Sequence, residues 1–568
     1  MIEYGISESE LEAMKMTVRR RYHLDKPLNP ASVSNADLVA VCHNNFISGT
    51  SLTNPAELRA IQNRIISEIT LDDVKPYIGK VFSQSDKIYS WFANPKDKDR
   101  IPSTEETRAR LAKAFAQDVK PNFVTFRKVD LNVNEAEGKI VKEKTVKGLE
   151  NSKEWTLSNG AKVYWTPVND RKVTPDLSLL VYFNSGYNAL PQDRFGSALF
   201  AGEFIKTNAG FRGASSDEIA KVPECNEVTR SIRISERFAG IFMSAPAKKA
   251  ENAFRIASLT ITDPYMGNDK VLKQMKDKKL ETLGEPKKDA VRFNEACDSL
   301  IYGNHPWSVE IDSSAVEGVD MTLVGEIYRR EFNPSLGMTV FIAGNLDEAQ
   351  VKEYVYIASI PDGDRSVRKS GIKERVPSFK GVSEFSMTGK KEINPYTLVS
   401  RIFSSKVKPA TESIAAVDFV DYILSQRLLN QIREKRGGTY TIRFSSTVSV
   451  REKGRSESEV TFKTRPDLYK VLVGDLDDVI SEFNAEGPTE KELEEARTWL
   501  IKNNLESKAK RSESMSHRNS QVMNYVRNGI DPNADWEAAY KKVSAEDVRK
   551  ASGKLTGGNS LTVIYTEE

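Results

Sequence analysis

Histidine and cysteine are the side chains that most readily ligate metals or attack carbonyls, and in this chain both are few and scattered. There are four histidines, His23, His43, His305 and His517, and three cysteines, Cys42, Cys225 and Cys297. No two histidines stand at i, i+4, the spacing that sets two imidazoles on one helix face for zinc. Three cysteines without metal-ligand spacing make neither a zinc site nor a disulfide framework. Cys42 beside His43 in AVCHNNF has the residue types of a nucleophile and its base. Adjacent side chains diverge on a helix, however, and no third group orients the pair. His305 in GNHPW reads as part of a packed turn around Pro306 and Trp307.

The more informative spacing lies in LLNQIREKRGGTY, residues 428–440. A helix over 411–436 that stops at Gly437-Gly438, where positive φ carries no steric cost, would hand the chain to a strand over 439–450. Arg433 in the last helical turn and Tyr440 at the first strand position can then converge on one point. Two plainer readings stand beside this one. Tyr440 shares its period-2 parity with Ile442, Phe444, Val448 and Val450, which alone makes it core. Arg433, with Lys435 and Arg436, also makes a basic cluster matched to the negative end of a helix dipole.

The elements that must position these residues are organised by an internal repeat. Gly5, Glu8, Glu10, Leu11 and Glu12 match Gly487, Glu490, Glu492, Leu493 and Glu494, a shift of 482, and Asp73, Val74, Gly79 and Lys80 match Asp547, Val548, Gly553 and Lys554, a shift of 474. The Ser7-x-x-Glu10 capping box predicts a helix over 7–22, with further helices over 55–67 and 71–83 and a strand over 87–92. Arg19, Arg20 and Arg21 read as a solvated cluster at the first helix end. The second copy is preceded by a helix-and-strand segment from about 395 to 486 that the first copy lacks. Residues 1–95 are therefore expected to be the C-terminal part of a truncated domain. Residues 96–153 and 361–392 read as linkers from their charged, aperiodic composition. Between them, 154–360 opens with the Asn159-Gly160 hairpin, and 393–568 repeats its order of elements. The fold class is α+β: repeated αβ domains, each a mostly antiparallel sheet with helices on one face.

At 568 residues the chain is multidomain. Lys+Arg 83 against Asp+Glu 80 leaves no net field for nucleic acid. No stretch reaches the roughly 18 to 20 apolar residues of a membrane span, so no transmembrane segment is expected. MIEYGISESE has no signal-peptide character. A signal peptide ahead of it would direct the chain to the periplasm or cell envelope.

The hairpin LSNGAKVYWTP, RFNEACDSLIYGNHPWS at 292–308, FNPSLGMTVFIAGNLDEAQV at 332–351 and LLNQIREKRGGTY together resemble the insulinase/pitrilysin family of zinc metallopeptidases, the inverzincins. The resemblance implies two halves of two α+β domains each, closing like a clamshell on a peptide. It makes this chain the tail of the second domain, the linker, and complete third and fourth domains. The family's H-x-x-E-H zinc motif belongs to the absent first domain, so zinc is expected there and none in this chain. The third-domain counterpart of that motif aligns with Leu199-Phe200-Ala201-Gly202-Glu203, where Leu199 and Glu203 replace the histidines and Gly202 the base: a degenerate metal site. The resemblance also implies that Arg433 and Tyr440 contact the peptide substrate and the oxyanion forming at zinc. The expectation is a non-catalytic C-terminal portion of a peptidase, with no catalytic residue of its own. The alternative is an inactive family member that serves as scaffold or partner subunit.

Overall fold

The computed structural model describes residues 4–22, 24, 35–82, 88–93, 95–117, 120, 128–133, 139–170, 173, 175–187, 191–303, 305–355, 360, 363–366, 373, 375–390, 394–450, 453–512 and 514–567. They fall into two compact units, Met1–Lys128 and Val129–Glu568. Among the described residues no helix is long and apolar enough to cross a membrane.

The first unit is helical: α1 (Glu8–Arg21), α2 (Asn35–Ser48), α3 (Pro55–Glu68) and α4 (Leu71–Phe82), followed by a further helix, Thr104–Phe115, inside the stretch expected to be linker. Its helix starts use the caps that the sequence announces. Ser7 and Glu10 form a reciprocal capping box, and Thr70 caps α4 through Asp73. Arg19 departs from the solvated reading, because it donates to Asn63 at 3.0 Å and to Ser67 at 2.6 Å on α3. The strand expected over 87–92 is absent from its described part, 88–92. A strand needs a neighbour for its backbone groups, and this unit has no other strand among its described residues. Ile88 and Phe92 are left 94% and 95% exposed.

In the second unit, β1 (Ile140–Val146), β2 (Leu149–Leu157), β3 (Lys162–Pro167), β4 (Leu177–Phe183), β5 (Thr229–Ile234), β6 (Ala239–Ala245) and β7 (Thr339–Gly344) make a seven-stranded sheet in the order β1-β2-β3-β7-β4-β6-β5. Every pairing is antiparallel except β3 with β7. The helices α5 (Phe195–Asn208) and α6 (Met321–Glu331) pack beneath it around Trp155, Trp165, Phe183, Phe200 and Phe204, all fully buried. β1 lies inside the stretch expected to be linker.

A second sheet has five strands: β8 (Val382–Gly389), β9 (Thr397–Lys406), β10 (Ile442–Ser449), β11 (Arg455–Thr464) and β12 (Asn559–Glu567), in the order β8-β12-β9-β11-β10. β8 also lies within an expected linker, and it pairs parallel with β12. The helix α7 (Thr411–Leu428) crosses this sheet and closes the outer edge of β10 with side chains. The Phe444 amide donates to Ser425 Oγ at 3.0 Å and the Ser446 amide to Asp421 Oδ2 at 2.8 Å.

The repeat is visible as structure. After β11 and the helix Tyr469–Glu486 the chain runs through α8 (Glu490–Ser512), α9 (Met515–Asn528), α10 (Trp536–Lys542) and α11 (Ala545–Thr556), the same order of helices as α1 to α4. Thr489 and Glu492 box the start of α8, and Ser544 and Asp547 the start of α11, at the positions that match Ser7, Glu10, Thr70 and Asp73. α9 then leaves its own sheet and lies on the open face of the seven-stranded one. Asn519 donates to the carbonyls of Ser178 at 3.2 Å and Phe341 at 2.9 Å, with Val522 packed beside Tyr164 and Phe341. In exchange, the helix Asp289–Tyr302 sets Phe293 against Phe385 and Tyr565 of the five-stranded sheet. Each sheet is therefore covered on its second face by a helix from the other domain.

Candidate functional site

The helix α7 does not end as an α-helix. The residues that follow Leu428, Leu429–Lys435, wind into a π turn with Ile432 buried, a conformation that recurs at functional sites because it widens and re-aims the helix end. The turn stops at Gly437, whose φ of +60° suits glycine. The chain reverses here because the Gly437 amide donates to the Arg433 carbonyl at 2.9 Å and the Gly438 amide to that of Ile432 at 3.0 Å. Gly438 is buried, and a Cβ there would lie 2.6 Å from Leu472 Cδ1.

This reversal brings the two expected residues together. The Arg433 guanidinium carbon lies 5.5 Å from the centroid of the Tyr440 ring. Tyr440 is 85% exposed and precedes β10 by two residues. Its parity with Ile442 and Phe444 therefore does not carry it into the core, since alternation holds only within the strand. The other two cations of the cluster are engaged elsewhere. Arg436 donates from Nε and Nη2 to Asp475 at 2.8 and 3.0 Å, and Lys435 donates to Gln431 at 3.1 Å. Arg433 has a loose contact of 3.6 Å with the exposed Glu434. The result is an exposed guanidinium and an exposed phenol hydroxyl side by side, two donors suited to an anionic oxygen or a peptide carbonyl.

The residues expected to form a degenerate metal site lie on α5. Leu199 is half-buried, Gly202 buried and Glu203 exposed. The space beside Gly202 is filled by Tyr187, whose hydroxyl oxygen would be 2.9 Å from a Cβ at that position and which donates to the Ile234 carbonyl at 3.3 Å. Burial pushes the Tyr187 phenol up to about 12, with Glu331 and Glu203 adding to it. An isobutyl group and a hydrogen atom offer no ligand to zinc, so these residues do not fit the metal. Among the described residues no group of three His, Cys, Asp or Glu is placed to hold a metal ion.

Of the histidines, His23 lies outside the described residues, and His43 and Cys42 are exposed on α2. His305 Nδ1 accepts from the Trp307 amide at 3.2 Å in a packed turn. His517 sits at the start of α9, where burial holds its pKa below the usual imidazole range. The residue that sequence reading missed is Asp475. The available signal was a lone carboxylate among Leu472, Leu476 and Val479 on the buried face of the helix Tyr469–Glu486.

Residues 324–500 match the Peptidase M16 inactive domain family. The structure superposes on the periplasmic protease PqqL from Escherichia coli with a TM-score of 0.68 at 19% identity, covering 100% of this chain and 62% of that one. The ferredoxin protease FusC, solved in complex with Arabidopsis ferredoxin, gives 0.67 at 16% identity, again covering 100% of this chain and 62% of that one. A peptidase M16 inactive domain from Pseudomonas fluorescens gives 0.57 at 18% identity, covering 74% of this chain and 98% of the other. No curated protein sequence matches the chain. The chain thus spans 62% of the length of PqqL and FusC, and at these identities the likeness establishes a shared α+β fold. The resemblance to the insulinase-type peptidases holds, both in residues 324–500 and in the fold.

Proposed function

We propose that this chain is the non-catalytic portion of a zinc metallopeptidase that takes peptides or unfolded protein segments into a closed chamber. Arg433 and Tyr440 bind the substrate and donate to the oxyanion formed during cleavage. The observation that carries this reading is their convergence: two donors of the right chemistry stand exposed beside one another at a corner built from a π turn and two glycines. A zinc ion held by a domain outside this chain would supply Lewis acidity and lower the pKa of its bound water. This chain's own part is to orient the peptide carbonyl and to stabilise negative charge on its oxygen.

The exposed apolar residues of the first unit support a partner domain. Phe46 and Ile47 of α2 are 86% and 64% exposed, whereas the matching helix α9 is seated on a sheet. The test is peptide cleavage by the complete protein carrying Arg433→Ala or Tyr440→Phe. Loss of turnover with zinc content intact supports the clamp. A complete protein without zinc or cleavage supports the scaffold reading instead.

A further inference from the structure

The corner that presents Arg433 and Tyr440 is tied to a single buried carboxylate. Asp475 is 6% exposed, and both of its oxygens face the corner. Oδ2 accepts from Arg436 Nε at 2.8 Å, and Oδ1 accepts from Arg436 Nη2 at 3.0 Å and from Gln431 Nε2 at 3.2 Å. Gln431 lies inside the π turn and Arg436 directly follows it, so Asp475 grips the turn on both sides of Arg433. The grip is extended by Lys435, which donates to Gln431 Oε1 at 3.1 Å.

Three properties make this arrangement more than a surface ion pair. Asp475 is buried on its helix between Leu472 and Leu476, so its position is fixed by the core of the five-stranded domain. The Arg436 contact is two-pronged, which constrains orientation as well as distance. A π turn is a rare conformation beside the α-helix it follows, and contacts from outside the turn favour it. Removing the carboxylate would leave Gln431 and Arg436 without their acceptor and free the turn to rewind, which rotates Arg433 away from Tyr440.

We propose that Asp475 is the positioning residue of the Arg433/Tyr440 clamp, holding the π turn through Gln431 and Arg436 so that the guanidinium and the phenol address the same peptide group. The proposal rests on the reading of Arg433 and Tyr440 as substrate contacts, and its test separates the two. Binding of fluorescein-labelled casein to this full chain is followed by fluorescence anisotropy for the unsubstituted protein, for Asp475→Asn, for Arg433→Ala/Tyr440→Ala, and for all three substitutions together. Asp475→Asn is expected to weaken binding roughly tenfold, the scale for losing a charge-assisted contact. It is expected to change nothing once Arg433 and Tyr440 are already gone. Equal weakening in both backgrounds would mean a purely structural role and overturn the proposal, as would unaltered binding by Asp475→Asn alone. If Arg433→Ala/Tyr440→Ala binds casein like the unsubstituted chain, the clamp reading itself fails. Should Asp475→Asn not fold, Arg436→Lys replaces it in the same cycle, because it keeps the charge and removes the two-pronged contact.

Discussion

Glu331 and Gly186 are joined by a short hydrogen bond: the glycine amide donates to the carboxylate at 2.5 Å in a site where Glu331 is 1% exposed. Burial pushes this carboxyl up to about 7, against the opposing pull of the Gly186 amide and the Ser185 hydroxyl. The folded state then holds a proton that the unfolded chain releases nearer its ordinary value of 4.5. Stability from this group falls as pH rises through the window between those two values, with the cost complete above it, on the order of 3 kcal/mol. Glu331→Gln keeps an acceptor for the Gly186 amide and removes the titration. Its melting temperature is expected to fall less between pH 5 and pH 8 than that of the unsubstituted chain. Asp421 and Asp418, pushed up by burial to about 7 and about 6, keep part of the slope in both proteins. Parallel melting-temperature profiles would refute the assignment.

Arg433→Ala and Tyr440→Phe are each expected to lower kcat for an unstructured peptide by roughly 10²-fold in the complete protein, the scale for removing one oxyanion donor. The two groups are in contact, with 5.5 Å from guanidinium carbon to ring centroid, so their effects are not expected to add. Steady-state kinetics of the single and double variants decide this. A change confined to KM would assign the pair to ground-state binding alone.

How much of this was legible in the sequence depended on how local the signal was. The Ser7–Glu10 box announces a helix start within three residues of itself and does cap α1, and the same chemistry recurs at Thr70, Thr489 and Ser544. β1 and β8 were hidden because edge strands carry charge outward: IVKEKTV alternates poorly and reads as a linker. Ile88–Phe92 erred the other way, since an apolar run signals a strand only where a partner strand exists. Tyr440 shows the same limit, because its parity with Ile442 says nothing once the strand begins two residues later. Asp475 was only half legible: a lone carboxylate on an apolar helix face marks it, but its partners, Gln431 and Arg436, lie 44 and 39 residues away.

Purified as it stands, this chain is expected to bind zinc at well below one ion per molecule after dialysis. Leu199 and Gly202 supply no ligand atom, and Tyr187 fills the space beside Gly202. Elemental analysis of the dialysed protein checks it, and one tightly held zinc per chain would contradict the reading of α5 as a degenerate site.

The two glycines of the corner have different jobs, and single substitutions should separate them. Gly437 has φ +60° with open space around it, so Gly437→Ala meets only the left-handed backbone penalty, about 1 kcal/mol. Gly438 has ordinary φ but no room: an added Cβ would lie 2.6 and 2.8 Å from the Leu472 methyls and 3.2 Å from Leu468. Leu472 is fully buried and cannot swing aside without disturbing its neighbours. The Gly438 carbonyl is also pinned by the Thr464 hydroxyl at 2.5 Å. Gly438→Ala is therefore expected to lower stability by about 1–3 kcal/mol, the range for overpacking. It should also lower casein binding, because Leu472 lies one helical turn from Asp475. Gly437→Ala should leave binding close to normal. Urea midpoints and anisotropy titrations on the two variants test the distinction, which collapses if Gly438→Ala is as stable as the unsubstituted chain.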